Sequence, residues 1–97
     1  MIYYLLDQAE ADLVAIMEYI AERNPAAAAR VLQSLHKRWD LLADHPFSGK
    51  GRDDLRPGAR CVVVGQYLSL YRVTDQGVEI VRVLHGKRDL TAENLED

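Results

Sequence analysis

Hydrophobic and polar positions follow three rhythms along this chain, and each predicts a different element. Ile2 to Leu6 is a short unbroken apolar run, the length of one strand buried on both faces. From Asp7 the rhythm becomes helical: Leu13, Ile16, Met17 and Ile20 recur at i, i+3, i+4 and i+7, and predict an amphipathic helix to about Arg23. Asp7-x-x-Glu10 resembles a capping box with Asp7 as the N-cap. Asn24-Pro25 interrupts and restarts the helix, since Asn caps well and Pro fits the first helical position. Ala28, Val31, Leu32, Leu35, Trp39 and Leu42 carry a second helix to about Asp44, where His45-Pro46 ends it. The short link predicts an antiparallel helix hairpin. Met17 belongs to the apolar stripe. His36 lies on the polar side beside Lys37 and Arg38 and reads as surface, with no metal role.

Residues 47–58 have Gly, Pro and charge but no periodicity, and predict a loop. Ser48-Gly49-Lys50-Gly51 lacks the spacing and flanking elements of a phosphate-binding loop. From Arg60 to Asp89 the rhythm shortens to three runs rich in Val, Ile, Leu and Tyr, separated by two turn signals: an antiparallel meander. Gly65-Gln66 suits a two-residue turn with Gly at φ > 0, which sets Val64 opposite Tyr67, Val62 opposite Ser69 and Arg60 opposite Tyr71. Centring the second turn on Asp75-Gln76 sets Arg72 opposite Glu79, Ser69 opposite Arg82 and Leu68 opposite Val83. One face then holds Cys61, Val63, Leu68, Leu70, Val81 and Val83, and is expected to lie under the helices. The other holds Arg60, Arg82, Ser69, Tyr67 and Tyr71 among Val62, Val64, Val73, Val78, Ile80 and Leu84, and reads as a working surface. On that reading Arg82→Ala lowers activity and leaves the fold intact. The end of the chain, about residues 90–97, predicts one helical turn or a frayed acidic tail.

Composition narrows the setting. Ninety-seven residues, 48% of them hydrophobic, predict a single domain, 1–97, with its own core. Cys61 is the lone cysteine, so no intrachain disulfide forms, and its place in a strand predicts a small apolar core group. With no basic, apolar leader and no run of about 20 apolar residues, the expected location is the cytoplasm, away from membranes. The net charge of −3 is unevenly spread. Residues 1–48 carry four Lys/Arg against seven Asp/Glu, residues 49–88 carry eight against four, and residues 89–97 carry four acids and no base. Affinity for nucleic acid draws heavily on phosphate neutralisation. A globally acidic chain with one modest basic region favours a protein partner, or RNA reached only within a larger assembly.

The order strand, helix hairpin, loop, meander covers the whole chain and resembles the ParE/RelE superfamily of type II toxin–antitoxin toxins, closer to the ParE branch. The resemblance rests on Asp-x-x-Glu at the first helix, His45-Pro46 and Gly49, and Leu55-Arg56. It rests above all on Tyr67-Leu-Ser-Leu-Tyr71 and on Val81-Arg-Val-Leu-His-Gly-Lys-Arg-Asp89. It implies an α+β fold with the hairpin packed on one face of an antiparallel sheet. It also implies a cognate antitoxin that wraps the toxin, fills an apolar groove and often pairs with the sheet, and it calls for no cofactor. Two activities stay open. ParE-like members poison DNA gyrase without established nuclease chemistry. RelE-like members are ribosome-dependent, metal-independent mRNA endonucleases.

A metal-free ribonuclease needs acid–base groups and fixed cations on the phosphate. Arg60 and Arg82 match RelE-like phosphate-binding positions, and His85 is the first acid–base candidate. Strict alternation places His85 opposite Arg82 unless the strand twists or bulges. Lys50 is the lone lysine of residues 47–58, and the acidic tail offers no base. These departures favour the gyrase poison, for which target or antitoxin contacts are expected at Arg56, Arg60, Tyr71, Arg82, Lys87 and Arg88. A non-toxic protein-interaction module is a further alternative.

Overall fold

The structure, a computed structural model, describes residues 1–86 and Asp89. Strand β1 (Tyr3–Leu5) leads into helices α1 (Asp7–Arg23) and α2 (Pro25–Asp44), followed by strands β2 (Lys50–Gly51), β3 (Arg60–Val64), β4 (Tyr67–Thr74) and β5 (Gly77–His85). The five strands form one sheet in the order β1-β5-β4-β3-β2. The fold is α+β, as the element pattern predicts, but the sheet is mixed: β1 runs parallel to β5, and the other neighbours are antiparallel. Parallel pairing needs a long crossover, and the hairpin and meander together supply it. β1 is a half-buried edge strand, not one buried on both faces. β2 arises inside the expected loop, pairing Lys50 with Cys61 and Gly51 with Arg60. No helix among the described residues is long and apolar enough to cross a membrane.

The helices begin differently. Asn24 caps α2 as predicted, its Oδ1 accepting from Ala27 N at 3.1 Å, with Pro25 in the first turn. The capping box at α1 does not form. Leu6 is the N-cap residue, without a side-chain cap, and Asp7 is already helical. The reason lies in the sheet: Leu6 N donates to Ile80 O at 3.0 Å, so the chain turns from strand to helix one residue early. Asp7 and Glu10 instead place negative charge in the first turn, where the helix dipole favours it.

The β3–β4 register is the predicted one, turning through Gly65 at φ 59°. The β4–β5 register starts as predicted, with Arg72 opposite Glu79 and their side chains paired at 2.6 Å. It then slips. Tyr71 faces Ile80 but Leu70 faces Arg82, so Val81 is an extra residue and the strand bulges. Beyond the bulge Ser69 faces Val83 and Leu68 faces Leu84, correcting the expected partners Arg82 and Val83.

The larger correction concerns which face the helices cover. They pack on Val62, Tyr71, Val78, Ile80 and Val83, joined by Leu35, Trp39 and Leu42 of α2 and by Ala9 and Ile16 of α1. This is the face that reads as a working surface, with Val83 added by the bulge. Its polar atoms are satisfied internally: Trp39 Nε1 donates to Ser69 Oγ at 2.9 Å, both residues fully buried. Ala59, Cys61, Leu68, Leu70, Val81 and Leu84 form a second cluster on the other side, and Leu6 and Leu55 pack against it. Val63, expected in the core, is 64% exposed.

Ser69→Ala leaves the indole N–H of Trp39 buried without an acceptor. It should cost about 1–3 kcal/mol, read as a lower urea midpoint.

Candidate functional site

The residues that read as contacts divide between two regions. Tyr71 and Arg60 belong to the first, where β3 and β4 meet the loop after α2. Tyr71 has no exposed surface: its hydroxyl donates to Pro46 O at 2.7 Å and accepts from Gly49 N at 2.9 Å. It therefore fastens the loop and offers nothing to a partner in this fold. Gly49 is required beside it, because a Cβ there would collide with the Tyr71 hydroxyl and with Cys61 O. Arg60 Nη1 donates to Phe47 O at 3.1 Å and to Gly49 O at 2.8 Å. Its guanidinium carbon lies 5.1 Å from the Phe47 ring centroid.

Arg82 and His85 belong to the second region, where the bulged end of β5 meets α1. Arg82 donates from Nε and Nη2 to the Asp12 carboxylate at 2.7 and 3.0 Å, and Val83 N adds a third bond to Asp12 at 3.0 Å. The side chains of Arg82 and Asp12 are only 16% and 11% exposed. Arg82 is thus part of the frame, which overturns the expectation that it stands on an open face the core does not need. Asp12 was not among the residues that reading the chain singles out. The signal is present all the same: Asp12 stands three residues after Ala9 and four before Ile16, both buried, and a carboxylate on that stripe needs a partner.

The bulge brings His85 round. His85 Nε2 lies 3.1 Å from Gln66 Oε1, and its ring meets that of Tyr67 edge-on at 5.8 Å. Arg82 and His85 line one polar cleft of about 360 Å³, with Asp12, Tyr19, Gln66 and Tyr67. Arg60 lies outside that cleft, reaching toward the β2 edge while Arg82 reaches toward α1, so the two arginines diverge. A second, more apolar groove of about 550 Å³ opens between the helix hairpin and the β3–β4 turn, lined by Ile20, Val31, Val64 and Tyr67 with Arg30 at its rim. Arg56 sits half-buried in a turn where its N–H donates to Arg52 O and its carbonyl accepts from Ala59 N. Lys87, Arg88 and the tail from residue 90 lie outside the described residues. Among the described residues no group of three or more His, Cys, Asp or Glu could hold a metal ion.

Residues 3–90 match the family described as the ParE toxin of the type II toxin-antitoxin system, parDE. The chain belongs to the ParE toxin family. It is 34% identical over 90 residues to Toxin ParE1 of Mycobacterium tuberculosis, covering 91% of this chain and 92% of that one. Toxin RelE2 of Caulobacter vibrioides is 40% identical over 82 residues, covering 84% and 90%. A chain from the structure titled "Chromosomal ParDE TA system from P. aeruginosa" superposes with a TM-score of 0.75 over 88% of this chain and 95% of that one, at 24% identity. That likeness shows the fold. The relatives carry both ParE and RelE names, so their names do not separate the two activities for this ParE-family chain.

Two predictions follow from these contacts. Removing either partner of the Asp12–Arg82 pair should cost about 3 kcal/mol, the low end of the range for breaking a buried pair, since both keep some solvent contact. Urea unfolding of Arg82→Ala, Asp12→Ala and the double variant should show strong coupling. The second concerns alkaline pH. Burial holds Tyr71 above the ordinary tyrosine value of 10.0, against the opposing pull of the Gly49 N–H and the charges of Arg60 and Arg38. Burial, then Asp40, raises Tyr3 in the same direction. A raised pKa favours the protonated form in the fold. Its contribution is therefore complete below about pH 10 and is lost as pH climbs through the raised value. Tyr71→Phe should lower stability at neutral pH by about 1–3 kcal/mol and flatten the loss above pH 10, both measured by urea unfolding across pH.

Proposed function

We propose that this protein arrests growth by poisoning DNA gyrase in the cytoplasm and that a cognate antitoxin neutralises it by direct binding. The observation that carries the reading is the divergence of the arginines. A phosphate-cleaving site needs cations converging on one phosphate, with an acid and a base in reach. Here Arg60 is turned to the carbonyls of Phe47 and Gly49, and Arg82 to Asp12. Membership of the ParE family supports the same reading.

The antitoxin's place is the groove at Ile20, Val31, Val64 and Tyr67. It combines the apolar Ile20, Val31, Val64 and Tyr67 with the polar Arg30, Ser34 and Gln66, which suits an amphipathic segment of a partner. Arg56, Lys87 and Arg88 remain proposed contacts on the basic middle of the chain.

A second reading has an observation of its own. The bulge places Arg82, His85, Tyr19 and Tyr67 around one cleft, and one similar protein carries the name RelE2. Ribosome-dependent mRNA cleavage would use His85 as the first acid–base group there.

Purified, antitoxin-free protein in two parallel reactions separates the readings. The expected outcome is inhibited supercoiling by gyrase with intact mRNA in cell-free translation. Ribosome-dependent cuts with normal supercoiling would overturn the gyrase reading and make the protein an endonuclease.

A further inference from the structure

The loop after α2 is held more firmly than a connection requires. His45 N donates to Leu41 O and Ser48 N to His45 O, closing successive turns. Pro46 O and Gly49 N are both bonded to the buried Tyr71 hydroxyl, and Phe47 O and Gly49 O to Arg60. The backbone on each side of Phe47, and its own carbonyl, is thus fixed by side chains from β3 and β4. The Phe47 ring is left outside, 65% exposed, with the Arg60 guanidinium 5.1 Å from its centroid.

A lone exposed aromatic needs no explanation. One presented on a backbone fixed from within the core is different, because its ordering cost on binding is already met by the fold. Aromatic and Arg side chains dominate the energetic centres of protein interfaces, and here one of each stands in contact. Leu41, 46% exposed, is a further exposed apolar side chain on the last turn of α2, whose carbonyl accepts from His45 N at the start of the loop. Arg60 and Arg38 lie near enough for their charge to act on the Tyr71 hydroxyl, and the exposed Lys50 follows Gly49 in the chain. This surface fits a protein pocket that is apolar at its base and rimmed by carboxylates.

Its position separates it from the groove assigned to the antitoxin. The groove involves Val64 and Gly65 at the far end of β3 and Arg30, Val31 and Ser34 near the start of α2. Phe47 lies beside Arg60 at the near end of β3, beyond the end of α2. Residues 31 and 41 of a helix are about 15 Å apart along its axis.

We infer that Phe47, flanked by Arg60, is the anchor with which the toxin grips its protein target, on a surface distinct from the antitoxin groove. The inference rests on the protein-target reading above and specifies which surface carries it.

The test compares Phe47→Ala with wild type and with Val14→Ala, an exposed apolar position on α1. Phe47→Ala should keep its thermal midpoint and bind antitoxin within about twofold of wild type, yet lose growth arrest and inhibit gyrase at least about tenfold less well. Val14→Ala should behave as wild type throughout. Growth arrest by Phe47→Ala at wild-type strength would overturn the inference, as would a loss of antitoxin affinity as large as the loss of gyrase inhibition, because the two surfaces would then not be distinct. A wild type that arrests growth with supercoiling untouched would remove gyrase as the target. The dependence of arrest on Phe47 would still decide the anchor, so the two failures are distinguishable.

Discussion

The carboxylate of Asp12 is the point on which this fold turns. It receives two bonds from Arg82 and one from the backbone of Val83, at an edge of β5 that β1 no longer covers. A buried pair gains little over apolar packing unless its remaining hydrogen-bonding capacity is filled, and the Val83 N–H fills it. The same contact secures the bulge. With Val81 inserted, Val83 turns toward the helices and Leu84 toward the opposite cluster, and each fills space that strict alternation would have filled the other way. Helix and strand are joined here by charge and backbone together, and the core on either side of the sheet depends on that junction.

The consequence for function is one of allocation. Tyr71, Arg60 and Arg82 carry polar groups that look like contacts from the sequence, yet the structure uses them within the chain: Tyr71 and Arg60 fix the loop after α2, and Arg82 fixes α1. A ParE-family chain with its arginines held in this way presents shape, an aromatic ring and a basic fringe. That combination suits recognition of a protein surface better than displacement at a phosphate. It also keeps the loop and the apolar groove at opposite ends of the same strand and helix, so one small domain can offer separate faces to two partners.

Much of this was legible in the chain. The helical spacing and Asn24-Pro25 marked both helices, and Gly65-Gln66 fixed the β3–β4 register, because each signal is local and has a single structural solution. The bulge was not legible, since period-two alternation cannot say where an extra residue enters. The choice of sheet face failed for a related reason. Ser69, Tyr71 and Arg60 read in the sequence as parts of a working surface, whereas Trp39, Pro46, Phe47 and Gly49 supply their partners inside the fold. Polarity in a sequence records a need for hydrogen bonds, not where they are made. Asp12 was legible in principle, as an acid on an apolar stripe. Phe47 was not, because nothing local distinguishes an anchored aromatic in a loop from a stray one.

Hydrogen exchange at the Val83 amide in antitoxin-free protein tests the central claim most directly. If Asp12, Arg82 and the bulge form the junction described, that amide opens only with the whole molecule. Its exchange free energy then equals the global unfolding free energy from urea. Exchange at the rate of a fraying edge strand, with the core still protected, would contradict the account.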